Sequence, residues 1–400
     1  MVATGHDDIP VTAEACDVLV VGAGPAGSSL AASLAAAGRS VTLVEAVRHP
    51  RPKACAEYAS PRIVEELERL GPGAAAWRAD ALAVRGMRVI RGNDAVDVRY
   101  VDVRGPRPAW GLDRTRFDAL LAANAAERGA RLLERTSFER AERSGDGWRV
   151  TVGDKGMARE IRARWLIGAD GARSRVAHRL GVERPVRVPL RLGLVAHYES
   201  HPELADHGEM HVGPGHYVGL APLAGGRLNV GMALPGDGRG PAEARFTQAI
   251  EALPAVAARL SGRRRLTPIR GASPIGHRVA RAAGPGWMLV GDAAGFVDPF
   301  TGEGIYRALR SARAASEALA AGDDGADERY LAARRAVFAG KDALTWTIQA
   351  LLAARPVLGY ALRRLAARPE LAARLGSALG DCRPASDALS PAFIARVLRP

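Results

Sequence analysis

The sequence predicts an α/β protein: a parallel sheet flanked by helices, interrupted by a mixed or antiparallel sheet and followed by C-terminal helices. Three observations carry this. A β-branched run, a glycine-rich turn, an alanine-rich helix and a second strand follow one another between Cys16 and Glu45. Two later apolar strands, at 165–168 and 287–290, are each followed within two residues by an aspartate, Asp170 and Asp292. Residues 331–400 read as helices punctuated by Pro356, Pro369 and Pro384.

The chain has 400 residues, enough for two or so domains, and 48% of them are hydrophobic. That balance excludes wholesale disorder and a polytopic membrane protein. Its net charge is +13, yet only Lys53, Lys155 and Lys341 are lysines. The arginines are scattered rather than clustered, and aromatics are 5%. This is compositional background, so no nucleic-acid partner is expected. Cys16, Cys55 and Cys382 are too few for a disulfide framework or a zinc site, which points to a reducing cytoplasm. Residues 1–14 carry acids and no apolar run, so a flexible tail is expected rather than a signal peptide.

Cys16 to Val21 reads as a buried parallel strand. Gly22-Ala23-Gly24-Pro25-Ala26-Gly27 follows, then a helix over 28–37 and a strand over 40–44 that ends at Glu45. The acid about 20 residues beyond the turn completes a Rossmann-type dinucleotide fingerprint. Gly22 permits the tight turn, Gly24 lets a pyrophosphate approach the backbone, and Gly27 lets the helix pack on the strand. The helix N-terminus offers free N–H groups and the positive dipole end. Glu45 is placed to accept both hydroxyls of a ribose. The similar run Gly236-Asp237-Gly238-Arg239-Gly240 lacks that frame and reads as a loop.

Ala169-Asp170-Gly171-Ala172-Arg173-Ser174 and Gly291-Asp292-Ala293-Ala294-Gly295 each leave the C-terminal end of a strand, where open parallel sheets bind ligands. The second runs on through Asp298-Pro299-Phe300-Thr301-Gly302-Glu303-Gly304-Ile305 into a helix over about 303–321. In chain order, GAGPAG, GADGARS and GDAAGFVDPFTGEGI resemble the FAD-dependent hydroxylase superfamily, which includes aromatic hydroxylases, geranylgeranyl reductases and flavin halogenases. Leu112-Asp113-Arg114-Thr115-Arg116-Phe117-Asp118 resembles a further family element, and the likeness spans residues 16 to about 320.

The resemblance implies a Rossmann-type FAD-binding domain with an inserted mixed or antiparallel β-sheet substrate domain. It implies FAD as cofactor, with Gly22, Gly24, Ala26 and Gly27 at the pyrophosphate and Glu45 at the adenosine ribose. Arg114 would contact the flavin side and Asp292 the ribityl chain, while Asp170 would support the cleft. Pro299, Gly302, Gly304 and Ile305 would put a helix N-terminus beneath the isoalloxazine, where its dipole favours the anionic reduced flavin. NADH or NADPH is implied as a transient reductant, since no second dinucleotide fold is visible.

Lys53-Ala54-Cys55-Ala56-Glu57 resembles the K-x-C-G-E element of geranylgeranyl and menaquinone-type reductases, with Ala56 where glycine is usual. In that group the cysteine lies near the flavin, so Cys55 is a candidate catalytic residue, as is Tyr217 on a strand expected to face substrate. The reductases carry an aromatic Y-x-W-x-F-P strand. Here it reads Tyr217-Val218-Gly219-Leu220-Ala221-Pro222, and the small Gly219 and Ala221 suggest a roomier pocket for a ring. Halogenation lacks its lysine, because none lies between Lys53 and Lys155. His197, His201, His207, His211 and His216 fit no standard metal spacing, so no metal is expected.

The expected organisation is a discontinuous FAD-binding domain (15–80, 111–182 and 286–330), a substrate-facing sheet domain (81–110 and 183–285) and a C-terminal helical region (331–400). Residues 341–400 hold nine cations and four anions, so those helices either cap the second domain or touch a membrane surface. The leading expectation is a monooxygenase that uses O₂ to hydroxylate or epoxidise a hydrophobic aromatic, quinone or polyketide-like molecule. The alternative is a reductase of isoprenoid double bonds. A non-redox prenyl-binding protein on the same scaffold is the reading from another class.

Overall fold

The structure is a computed structural model that describes residues 14–154, 157–186 and 189–399. Most of the expected tail lies outside the described residues. Its last member, Glu14, instead opens the first strand and accepts from Arg131 Nη1 at 2.7 Å.

The first sheet is parallel at its centre. Strand Glu14–Val21 lies between Val41–Val44 and Met157–Gly168, with Arg131–Leu133 and Trp287–Leu289 outside them. Register decides what this sheet can do. Val21 pairs with both Val44 and Gly168, and Gly168 pairs with Leu289. Gly22, Glu45, Ala169 and Val290 therefore leave the sheet at one level, which is where such sheets bind ligands. Val18, Leu19, Val20 and Leu43 are fully buried, as β-branched and apolar runs in a two-faced sheet should be. Helices Pro25–Ala36, Arg114–Glu127 and Gly304–Ala320 cover it. The Met157–Gly168 strand is much longer than the expected four residues. Its first half pairs with an antiparallel arm, Ser137–Ser144 and Gly147–Asp154, whose alternating polar faces hid it among loops.

The second sheet has eight strands in the order Arg270–Ala272, Arg191–Glu199, Arg227–Pro235, Tyr217–Leu223, Gly208–Val212, Gly86–Arg91, Asp94–Asp102 and Gly105–Arg107. All its pairings are antiparallel except 208–212 with 86–91. One face packs Leu194, Val218, Leu220 and Val230 against Phe246 and Val256 of two short helices. The other packs Val96, Val98, Met210 and Val212 against Leu344, Leu362, Leu365 and Leu371. The C-terminal helices Ala326–Ala353, Arg355–Ala366 and Pro369–Leu379 thus cap this sheet. A β-carbon on Gly376 would stand 2.2 Å from Arg99 O, so that helix rests directly on the 94–102 strand.

Candidate active site

Two helix N-termini converge on the C-terminal edge of the first sheet. Helices Pro25–Ala36 and Gly304–Ala320 both begin without a side-chain cap, which leaves backbone N–H groups for a ligand. Gly291 sits between them: a β-carbon there would lie 2.9 Å from Ala26 Cβ and 3.7 Å from Ala308 Cβ. The glycines of the first turn divide by cause. Gly22 has φ +102°, and a β-carbon would meet Ala169 O at 2.6 Å. On Gly27 it would meet Gly22 O at 1.9 Å, so the chain itself requires both glycines. On Gly24 it would meet nothing nearer than Arg51 Nη2 at 3.8 Å. The chain leaves that space open beside an uncapped helix, which is the cradle a pyrophosphate needs. These features fit an FAD.

Glu45 stands where the second strand leaves the sheet, the position expected to meet a ribose. Its Oε2 accepts from Ala23 N at 2.9 Å and from Arg51 Nη2 at 3.2 Å. Arg51 Nη1 reaches Asp118 Oδ2 at 3.5 Å, so this arginine spans the phosphate turn. The dinucleotide spacing does not mark Arg51; its basic charge six residues beyond Glu45 is the available signal.

Arg114 lies at the first turn of its helix, capped by Asp113, and is buried. Its Nε and Nη2 donate to Asp118 at 2.7 and 2.8 Å, an i to i+4 bidentate pair. Its Nη1 reaches Cys55 Sγ at 3.3 Å. Arg114 thus faces Cys55, with its guanidinium plane fixed by Asp118. Cys55 Sγ also accepts from Glu57 N at 3.4 Å, and Cys55 O accepts from Asn229 Nδ2 at 2.9 Å.

Glu57 is a hub that the sequence did not mark as such. It is buried with φ +55°. Its carboxylate accepts from Arg114 N at 2.8 Å and Asn229 Nδ2 at 2.9 Å, and pairs with His197 Nε2 at 2.6 Å. One side chain thus joins the cysteine segment, the Arg114 helix and two strands of the second sheet.

Tyr217 donates its hydroxyl to Asp298 Oδ1 at 2.6 Å and stacks edge-on against Phe300. Burial and the Asp298 charge hold that hydroxyl well above its ordinary value, so it stays protonated. It anchors the second sheet to the Asp298–Thr301 loop and is not a free acid. Asp170 turns its carboxylate to the chain itself. Ser174 Oγ donates to it at 2.6 Å and Val176 N at 3.2 Å. Both oxygens serve the short Arg175–Arg179 helix, so it supports the cleft from behind. Asp292 stands partly exposed in the 291–294 turn, and Pro299 and Gly302 flank the turn before the Gly304 helix, with Ile305 buried.

The expected roomier pocket is absent at the two small residues. Met210 lies against Gly219, with Cε 3.4 Å from where a β-carbon would be, and Ala221 is buried among Tyr58, Val84 and Tyr100. The histidines take protein partners: His197 pairs with Glu57, His207 with Asp206 and, at 3.9 Å, with Glu209, and His211 with Glu209.

The chain is 35% identical over 324 residues to a menaquinone reductase of Mycolicibacterium smegmatis, covering 76% of each chain. It is 33% identical to digeranylgeranylglycerophospholipid reductase 1 of Methanothermobacter thermautotrophicus, covering 76% of this chain and 77% of that protein. Its fold is similar to that of a flavoprotein/dehydrogenase from Cytophaga hutchinsonii, with a TM-score of 0.82 and 23% identity over 92% of this chain and 93% of the other. Residues 15–336 match the FAD binding domain family. The chain belongs to the FAD binding domain family and is an FAD-dependent oxidoreductase.

Proposed function

We propose that the protein is a reductase that saturates double bonds in an isoprenoid chain, such as that of a prenylated quinone. The observation that carries this reading is the seating of Cys55 between Arg114 and the second sheet. Saturation of a double bond needs a hydride at one carbon and a proton at the other. Bound FAD supplies the hydride, with NADH or NADPH as its reductant. Cys55 is the proton donor this chain offers, and Arg114 stabilises the thiolate left behind. Asn229 holds the cysteine carbonyl and the Glu57 N–H donates to its sulfur, so the sulfur does not wander. The names of the relatives support the same reading. A cleft of about 860 Å³ beside the Asp170 loop, lined by Arg173, Arg175, Arg179 and Arg184, suits the phosphates of the nicotinamide.

Oxygen insertion is the second reading, and Gly219 and Ala221 no longer favour it. Incubation of the FAD-loaded protein with a menaquinone and NADPH under argon separates the two. A product gaining two hydrogens supports reduction. Turnover only in air, with ¹⁸O in the product, overturns it. A purified protein that takes up no FAD points to the non-redox binder instead.

A further inference from the structure

Behind the start of the Gly304–Ala320 helix lies a buried ionic cluster that the proposed reduction does not use. Glu303 is the residue before that helix, and its side chain is 2% exposed. Lys341, from the long Ala326–Ala353 helix, approaches Glu303 Oε1 at 3.3 Å and Asp381 Oδ1 at 2.8 Å. Its ammonium also donates to Ala378 O and Leu379 O at 3.1 and 3.0 Å, the last carbonyls of the Pro369–Leu379 helix. With three protons spent on those shorter contacts, Lys341 serves Glu303 least. Among the described residues, neither Glu303 oxygen nor Asp381 Oδ2 has a well-aligned hydrogen bond.

The remaining groups that face Glu303 do not make up the difference. Arg307 stands 3.9 Å from Oε2 but gives its short contact, 2.6 Å, to Asp342. The Thr301 hydroxyl faces Glu303, Ser60 faces Asp381, the Tyr100 hydroxyl, 2.9 Å from that of Tyr58, feels the charge of both carboxylates, and Tyr306 feels that of Asp381. Two carboxylates thus share one lysine in a site sealed from water. Full ionisation of both leaves a buried negative charge, which one bound proton removes.

That charge would sit at the N-terminus of the helix whose uncapped N–H groups serve the cofactor. We propose that Glu303, Lys341 and Asp381 form a proton-holding cluster that takes up one proton when the bound FAD is reduced, and so ties the reduction potential to pH. Two electrons and one proton give a reduced cofactor one charge unit more negative. A second proton, drawn from solvent, goes to the Glu303 carboxylate. The electrons come from a reduced nicotinamide, or from dithionite in the test. Geometry and charge lead to this, and the titration range agrees: burial, opposed by Lys341 and reinforced by Asp381, pushes the Glu303 carboxyl up to about 7. The inference rests on FAD binding and not on the choice of substrate.

The test is the midpoint potential of the FAD-loaded protein, measured against reference dyes from pH 6 to 9. The expected result is a window opening near pH 7 in which the potential falls about twice as steeply with pH as on either side. Glu303→Gln removes that window and keeps any break that belongs to the flavin itself. Wild-type behaviour without the window, or a window that survives in Glu303→Gln, overturns the proposal. Should Glu303→Gln not fold, Asp381→Asn and a reduced-minus-oxidised infrared spectrum replace it. A protonated-carboxyl band that grows on reduction of the wild type is required, and its absence also overturns the proposal.

Discussion

Arg114 points its free Nη1 at the sulfur of Cys55, 3.3 Å away, while Asp118 holds the rest of its guanidinium. That contact is the basis on which the three cysteines should differ in reactivity. Burial raises Cys16 and pushes Cys382 up to about 11. Limited iodoacetamide at pH 7.5, followed by peptide mass spectrometry, is expected to label Cys55 first. Arg114→Lys keeps a charge on Asp118 but loses the fork, so labelling of Cys55 should slow by about tenfold. Equal labelling of all three cysteines would count against an activated thiol.

Cys55→Ala gives the functional counterpart. It removes no buried partner of an ionised group other than the spare Nη1 of Arg114. FAD content and the flavin spectrum should be unchanged. Turnover on a prenylated quinone should fall by about a hundredfold, the usual scale for loss of a positioned acid. Loss of FAD together with activity would instead make the cysteine a structural part of the cleft.

The glycine turn offers a sharper test of the cofactor site. Gly24→Ala fills space the chain leaves empty, and Gly27→Ala drives a methyl into Gly22 O. Gly24→Ala should leave the melting temperature of the FAD-free protein unchanged and weaken FAD binding at least tenfold, about 1.4 kcal/mol. Gly27→Ala should destabilise the FAD-free protein itself by about 1–3 kcal/mol. Fluorescence titration with FAD and thermal melts separate the two.

These contrasts show how far the sequence could be read. The strand–turn–helix–strand unit ending at Glu45 was legible because each glycine there answers a local demand of backbone or ligand, and spacing encodes local demands. The partners of Glu57 were not legible. Arg114, Asn229 and His197 come to it from elements up to 172 residues away, and no periodicity records such a meeting. The Glu303 cluster was hidden for the same reason, although a lysine at 341 in a chain of arginines was a visible oddity. The pocket reading from Gly219 and Ala221 erred because a small residue predicts room only if its cross-strand neighbour is also small. Gly219 has Gly231 on one side but Met210 on the other, and Ala221 is buried with Tyr58 and Tyr100.

Glu209 should govern acid stability in the second sheet. It is 1% exposed and pairs with His211 at 2.8 Å and Arg259 at 3.0 Å. Burial alone would raise its pKa, but those partners win and bring it from 4.5 down to about 2. A depressed folded value means the stabilisation is complete above about 4.5 and is lost as pH falls towards about 2. Glu209→Gln should cost about 3 kcal/mol at pH 7, since Arg259 and His211 lose a buried partner. The gap between wild type and variant in urea melts should shrink as pH falls through that range. A gap independent of pH would show that packing, not charge, is what Glu209 supplies.

The C-terminal helices carry the last prediction. Among the described residues no helix is long and apolar enough to cross a membrane. Yet Trp346, Val357, Ile394 and Leu398 are between 42% and 48% exposed. Helices Arg355–Ala366 and Pro391–Leu398 pack together, and Tyr360 donates to Leu398 O at 2.9 Å, so Val357, Ile394 and Leu398 belong to one neighbourhood. Exposed Arg355, Arg363, Arg396 and Arg399 belong to the same two helices or their ends, Arg363 paired with Asp94 and Arg396 with Glu370. Exposed apolar side chains on helices that also expose arginines suit the interface of an anionic bilayer, where each basic residue adds about 1 kcal/mol. A prenylated quinone resides in such a bilayer, so docking here would bring the protein to its proposed substrate. The expected result is co-sedimentation with phosphatidylglycerol vesicles that weakens as salt rises and is absent with phosphatidylcholine alone. Val357→Asp with Leu398→Asp should abolish it while FAD content stays the same. Binding that ignores both salt and these two substitutions would move the membrane contact off this surface.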